Sequence, residues 1–257
     1  MKLLVVDWDY FFENPMGSPE PKPGWHLYDW GHSETPFGIY HVWDFRAQAF
    51  FMAGQELPGT TGEELTFWNR FKFSRDAHFY VAESNARAVN PRVSEGITEV
   101  WLYDAHHDSG YNTGPSGYSV GEIKKLVKNG VWHCEDWMAF YWAQGARLRV
   151  RYPRWKTWAF EVEPYAGIRN VERFVDDPEE KTPLFDRVFL CRSGAWTPPW
   201  TDENFRRFIA ECPVEARTCL EPMPWSSVRD FNSEEAKVSA ELMKNWGAGT
   251  DAMKEQL

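Results

Sequence analysis

Short runs that are apolar on consecutive positions, each breaking off into carboxylates, constrain this chain most. Leu3-Leu-Val-Val6 runs directly into Asp7, and Val100-Trp-Leu-Tyr103 into Asp104. A strand with one wet face alternates apolar and polar residues. A strand apolar on successive positions is covered on both faces, as in a parallel sheet. Strands are expected over Lys2–Asp7, Glu99–Asp104, Leu148–Tyr152, Thr157–Val162 and Arg187–Cys191.

Helix signals fall between them. Thr61-Gly-Glu-Glu64 and Ser119-Val-Gly-Glu122 are capping-box patterns, opening helices to about Phe73 and over Val120–Lys128. Further helices are expected over Phe79–Val89, Glu135–Ala143 and Thr201–Glu211, and from Asn232 to about Trp246. The Pro- and Gly-rich stretch from Asn14 to Gly38 reads as a long loop. Strands alternating with helices predict an α/β fold: a single three-layer α/β/α domain over residues 1–249 with a mostly parallel sheet. Residues 250–257 are expected to be a frayed tail.

The chain of 257 residues carries a net charge of −10 and has no compact basic cluster, so binding to nucleic acid by broad electrostatics is disfavoured. Its apolar runs fall far short of the roughly 20 residues of a membrane span. With no secretory leader and no CxxC spacing among Cys134, Cys191, Cys212 and Cys219, a cytoplasmic protein with reduced thiols is expected. Its partner is then a small-molecule substrate, with a homo-oligomer compatible. Aromatics reach 17%, with 15 Trp, enough both to fill a core and to wall a ligand cleft.

Two clusters carry candidate chemistry. In Asp7-Trp8-Asp9 the side-chain period of two puts both carboxylates on one side of a strand end. In Asp104-Ala-His106-His107-Asp108 an extended chain puts Asp104, His106 and Asp108 on one side and His107 on the other. The carboxyl ends of parallel strands are where α/β proteins build sites. Carboxylates with imidazole and no thiolate suit Mn²⁺, Fe²⁺ or Zn²⁺. His78 lies 26 residues ahead of Asp104, before the helix expected from Phe79. Alone, such a His is more often a surface or capping residue.

Asp104-Ala-His106-His107-Asp108, with Asp7-Trp8-Asp9, resembles the arginase/deacetylase (ureohydrolase) superfamily. The Asp-x-Asp placed first in the chain, followed by Tyr10-Phe11-Phe12, and the later Glu135-Asp136-Trp137-Met138 resemble most the arginase-like UPF0489 group. The resemblance covers about Leu3–Pro15 and His78–Ala143, and gives His78 the place of an upstream metal ligand. It implies two divalent metal ions, Mn²⁺ first and Zn²⁺ or Fe²⁺ next, bridged by Asp104 and Asp7. His78 and Asp108 would complete one, His106 and Asp9 the other. It further implies a dinuclear hydrolase in which a metal-bound hydroxide attacks an amide or guanidine carbon and a nearby acid protonates the leaving amine. Asp108, His107 and His133 are the candidates for moving that proton. The chain departs from the ureohydrolase pattern after Asp9, and no acid that anchors a guanidinium stands out; Glu161 and Glu163 are the nearest candidates.

The stretch Cys191-Arg192-Ser193-Gly-Ala-Trp196 reads as a loop beside the site, with Arg192, Ser193 and Trp196 as substrate contacts. Trp25, Trp30 and Trp200 are expected beside it, and Trp8 behind the Asp pair. Two other readings stand. A haloacid-dehalogenase-type phosphatase would use Asp7 as nucleophile and Asp9 as acid/base, but leaves Asp104–Asp108 without a role. A non-catalytic metal-containing binding protein would hold metal without turnover.

Overall fold

Seven strands pair in parallel into one sheet: β1 (Lys2–Asp7), β2 (Lys72–Ala82), β3 (Glu99–Tyr103), β4 (Arg147–Tyr152), β5 (Val171–Val175), β6 (Leu184–Cys191) and β7 (Ala216–Cys219). Their order is β5-β4-β3-β1-β6-β2-β7. The computed structural model describes residues 1–13, 34–110, 125, 129, 132–157, 168, 170–221 and 229–254. Among them the helices are α1 (Pro36–Tyr40), α2 (Val42–Met52), α3 (Pro91–Ser94), α4 (Met138–Ala143), α5 (Asp202–Glu211) and α6 (Ser233–Lys254).

The apolar runs explain the layering. In β1, Leu4 and Val6 join one buried cluster with Trp43, Phe67, Phe71 and Phe208. Leu3 and Val5 join the other, with Val93, Ile97, Met138 and Tyr141. Connections that move toward β7 therefore cover the first face: residues 39–71 after β1, and α5 after β6. Those that move toward β5 cover the second: residues 85–97 after β2, and α4 after β3. Right-handed crossovers require this division. Leaving β1 the chain turns one way, and leaving β3 the other, so these adjacent strands flank the topological switch point, at whose carboxyl ends α/β proteins commonly build sites.

The expected single α/β domain with a parallel sheet is observed, and β1, β3, β4 and β6 match their expected strands closely. Several local readings change. Thr61 to Phe73 is not one helix: Gly62 takes a left-handed φ of 85°, and short 3-10 turns follow over Glu63–Leu65 and Phe67–Arg70. The rings of Phe67, Trp68 and Phe71 pack into the core there. The expected helix from Phe79 is strand β2 as far as Ala82, followed by a 3-10 turn over Asn85–Val89. Phe79 and Val81 feed one core and Tyr80 and Ala82 the other, a division only a strand provides. The helix α6 begins after Asn232, whose side chain caps it by accepting from the Glu234 and Glu235 N–H groups. It continues past Gly249 to Lys254. The expected strand Thr157–Val162 beyond Thr157, the helix Val120–Lys128 apart from Lys125, and Trp25, Trp30, Glu161 and Glu163 lie outside the described residues. Among the described residues no helix is long and apolar enough to cross a membrane.

Candidate metal centre

Register brings the two acidic motifs together. Val6 pairs with Tyr103, so the next residues, Asp7 and Asp104, stand level at the ends of adjacent strands. Beyond β1 a 3-10 turn over Trp8–Phe11 is capped by Asp7, whose Oδ1 accepts from the Asp9 N–H at 3.0 Å. Asp104 Oδ1 accepts from the His106 N–H at 2.7 Å, bending the chain after β3. The expected extended alternation past Asp104 is therefore replaced by a turn, which brings Asp9, Asp104 and His106 together. His106 Nδ1 lies 2.9 Å from Asp9 and 3.5 Å from Asp104.

The result is two overlapping donor groups. Asp9, Asp104 and His106 bring ligand atoms within 4.8 Å of one another, as do Asp7, Asp104 and Asp108. The carboxylates are buried, at 1–6% exposure, while the His106 side chain is 29% exposed. Burial and neighbouring carboxylates push Asp7 and Asp104 well above the usual carboxylate range. Burial raises Asp108 to about 7, against the opposing pull of Trp137. Burial would also raise Asp9, but the His106 charge and hydrogen bond more than offset it and hold Asp9 low. His106 is in turn raised by Asp9 against its own burial. Four carboxylates thus face one imidazole, a surplus of buried negative charge that a divalent cation offsets. Oxygen-rich donors with one imidazole are a set that Mn²⁺, Fe²⁺ or Zn²⁺ accepts. These residues can hold a metal ion.

Three residues that sequence reasoning passed over complete the surroundings. Asn85 Nδ2 donates to Asp7 at 2.7 Å, Asp108 at 2.8 Å and Asp104 at 3.4 Å. Trp137 Nε1 donates to Asp108 Oδ2 at 2.6 Å. Lys156, 7% exposed, sets its ammonium against the Ala105 carbonyl. Trp137 enters the sequence reading only within the Glu135-Asp136-Trp137-Met138 motif, without a role of its own. Asn85 and Lys156 carry no local signal: each lies in a short turn, and only the sheet topology brings it to β1 and β3. Asp108 at φ 43° and Ser193 at φ 50° hold left-handed backbone beside the cluster, a cost of about 1–2 kcal/mol each for non-glycine residues.

The other candidates divide. Ser193, after β6, donates to Asp7 Oδ2 at 2.6 Å and so belongs to the cluster. Trp196 is half-buried in the same loop. His78 does not reach the site. It pairs with Arg187 and Ala216 inside β2, four positions before Ala82, and its Nε2 meets Thr218 Oγ1 at 2.8 Å. At 3.3 Å per residue that places it roughly 13 Å from the carboxyl end. His107 is fully buried, its Nδ1 accepting from the Ser109 N–H at 3.1 Å, and His133 is exposed before α4. Neither ring joins the two donor groups. Arg192 is no substrate contact: at 1% exposure its guanidinium is held by Glu83 and Asp202. Trp200 donates to the Pro58 carbonyl and packs on Trp43 and Phe231, so it is structural. Trp8 packs behind the Asp pair as expected, among Phe11, Phe205 and Phe208.

No family model, no curated protein and no solved structure matches the chain.

Proposed function

We propose that the chain is a metal-dependent hydrolase of C–N bonds in a small amide or guanidine, holding two divalent cations, Mn²⁺ in the first place. One observation carries this reading: two donor groups that share Asp104 lie at the carboxyl ends of β1 and β3. Asp7-Trp8-Asp9 and Asp104-Ala-His106-His107-Asp108, the motifs that carry the resemblance, supply both groups, whereas His78, the upstream ligand it implies, supplies neither. The free thiols of Cys134, Cys191 and Cys212 support a reducing, cytoplasmic compartment.

Cations held there supply Lewis acidity, polarising the substrate and activating water. The chain's own residues do the rest. Asp9, Asp104 and His106 hold one position; Asp7, Asp104 and Asp108 hold the other. Ser193 and the Asp9 N–H orient Asp7, and Trp137 orients Asp108, as outer partners commonly fix metal-binding carboxylates. Asp108 retains a proton up to about pH 7 in the absence of metal and is the candidate for moving one in the reaction. Lys156 offers positive charge near His106 to a developing anion.

The test is release of ammonia or amine from a panel of amides and guanidines by the Mn²⁺-loaded protein. Hydrolysis that is lost in Asp9→Asn and in His106→Asn is the expected result. A second reading has one observation in its favour: Ser193 Oγ, two residues beyond the end of β6, the strand next to β1, contacts Asp7 as a phosphatase's hydroxyl beside its nucleophile would. Hydrolysis of a generic phosphate ester with Mg²⁺, lost in Asp7→Asn and kept in His106→Ala, would establish that reading and overturn the first.

A further inference from the structure

The amide of Asn85 does something no donor count includes. Its Nδ2 reaches Asp7, Asp104 and Asp108, the same three carboxylates that form the second donor group. Its other atom, Oδ1, is buried and has no hydrogen-bond partner among the described residues, in a residue only 2% exposed. A buried carbonyl oxygen left without a donor costs on the order of a hydrogen bond, so such atoms call for a reason. The half-turn of the terminal amide torsion that exchanges Nδ2 and Oδ1 keeps the side chain's shape.

We infer that Asn85 is a ligand of the second cation, through Oδ1. This rests on the reading of the cluster as a two-cation centre. Without metal, the two amide N–H groups serve Asp7 and Asp108, with Asp104 more distant at 3.4 Å. An amino group aimed into the position between these three carboxylates takes the place of a cation there and turns positive charge toward it, so the two states exclude each other. Turning the amide over presents the orphaned oxygen to the same position and relieves it at once. The Ser84 side chain accepts from the Ala86 N–H and opens the 3-10 turn that carries Asn85, so the amide is aimed from a fixed backbone. The two positions are then unequal. The one at Asp9, Asp104 and His106 includes an imidazole. The one at Asp7, Asp104, Asp108 and Asn85 is all oxygen, a set that favours a harder ion such as Mn²⁺. It is also the weaker position, because an amide dipole must turn before it fills.

The test is Mn²⁺ stoichiometry by equilibrium dialysis with elemental analysis, together with the electron paramagnetic resonance of the bound ions. Wild type is expected to bind two equivalents, the second about tenfold or more weaker, with the signal of a coupled pair. Asn85→Leu is expected to bind one, with the six-line signal of an isolated ion. Asn85→Asp should hold two, the second more tightly than in wild type, which guards against a folding defect in the leucine variant. Two equivalents in Asn85→Leu, or one equivalent in wild type with a second gained in Asn85→Leu, would overturn the inference while leaving a metal centre in place. No stoichiometric metal in wild type would overturn the two-cation reading and this inference with it.

Discussion

Trp137 Nε1 donates to Asp108 Oδ2 at 2.6 Å, and both residues are buried. The bond ties α4 to the loop after β3, and a second tie runs from the Met138 N–H to the Asp108 carbonyl at 3.2 Å. Trp137→Phe keeps the ring and deletes the donor. Hydrogen bonds to charged groups contribute about 1.5–3 kcal/mol, so a loss of that size is expected in chemical denaturation. Mn²⁺ affinity should fall by about tenfold or more, as when other outer partners of ligands are removed.

The carboxylates give stability a definite pH dependence. Asp7 and Asp104 are raised well above the usual range, and Asp108 to about 7. Raised carboxyl groups bind more protons in the folded state than in the unfolded state. Their contribution is complete below the unfolded value near 4 and is lost as pH rises through the folded values. His106, also raised, acts in the same direction. Asp9, held low, loses its contribution only as pH falls below the usual carboxylate range. Metal-free protein is therefore expected to lose stability between about pH 4 and 8 from these groups. Mn²⁺ should restore it increasingly toward pH 8, with protons released on binding. Calorimetric melts across this range, with and without Mn²⁺, check the sign.

Gly194 cannot take a side chain. A Cβ there would stand 2.1 Å from Glu83 Oε1 and 3.1 Å from Arg229 Nη1. Both atoms belong to a buried network in which Glu83 holds Arg192 and Asp202 holds Arg229. Gly194→Ala should destabilise by about 1–3 kcal/mol through overpacking. Arg192→Leu, which strands Glu83 as a buried unpaired charge, should cost about 3–5 kcal/mol. Urea unfolding of the two variants orders them.

His78 offers a control at the opposite end of the sheet. Its ring is partly exposed, on Thr218 and Tyr80, and well removed from the carboxylates. His78→Ala should change Mn²⁺ affinity less than twofold in calorimetric titration. A tenfold loss would mean that β2 does not hold the register described.

The central strands were legible because their burial is written locally: Leu3–Val6 and Val100–Tyr103 are apolar on both faces. The outer strands were not. Val171–Val175 and Ala216–Cys219 lie at the sheet's two edges, alternate with charged or polar residues, and resemble solvent-facing segments until a neighbour pairs with them. Five of the six expected metal ligands converge for the same local reason: each follows one of two apolar strands. His78 failed because Phe79–Ala82 has helix and strand readings of equal local merit, and burial on two faces decides between them. Asn85 and Lys156 needed the topology. Arg192 looked available in a loop, yet its partners Glu83 and Asp202 are distant enough in sequence to hide its burial.

The most direct measurement is the metal content of protein purified with Mn²⁺ or Zn²⁺ and passed through a desalting column. Wild type should retain stoichiometric metal. Asp104→Ala, which removes the carboxylate common to both donor groups, should retain almost none, and His106→Ala less than wild type. A wild-type protein without stoichiometric metal, or an Asp104→Ala protein holding as much as wild type, would contradict a metal centre at the ends of β1 and β3.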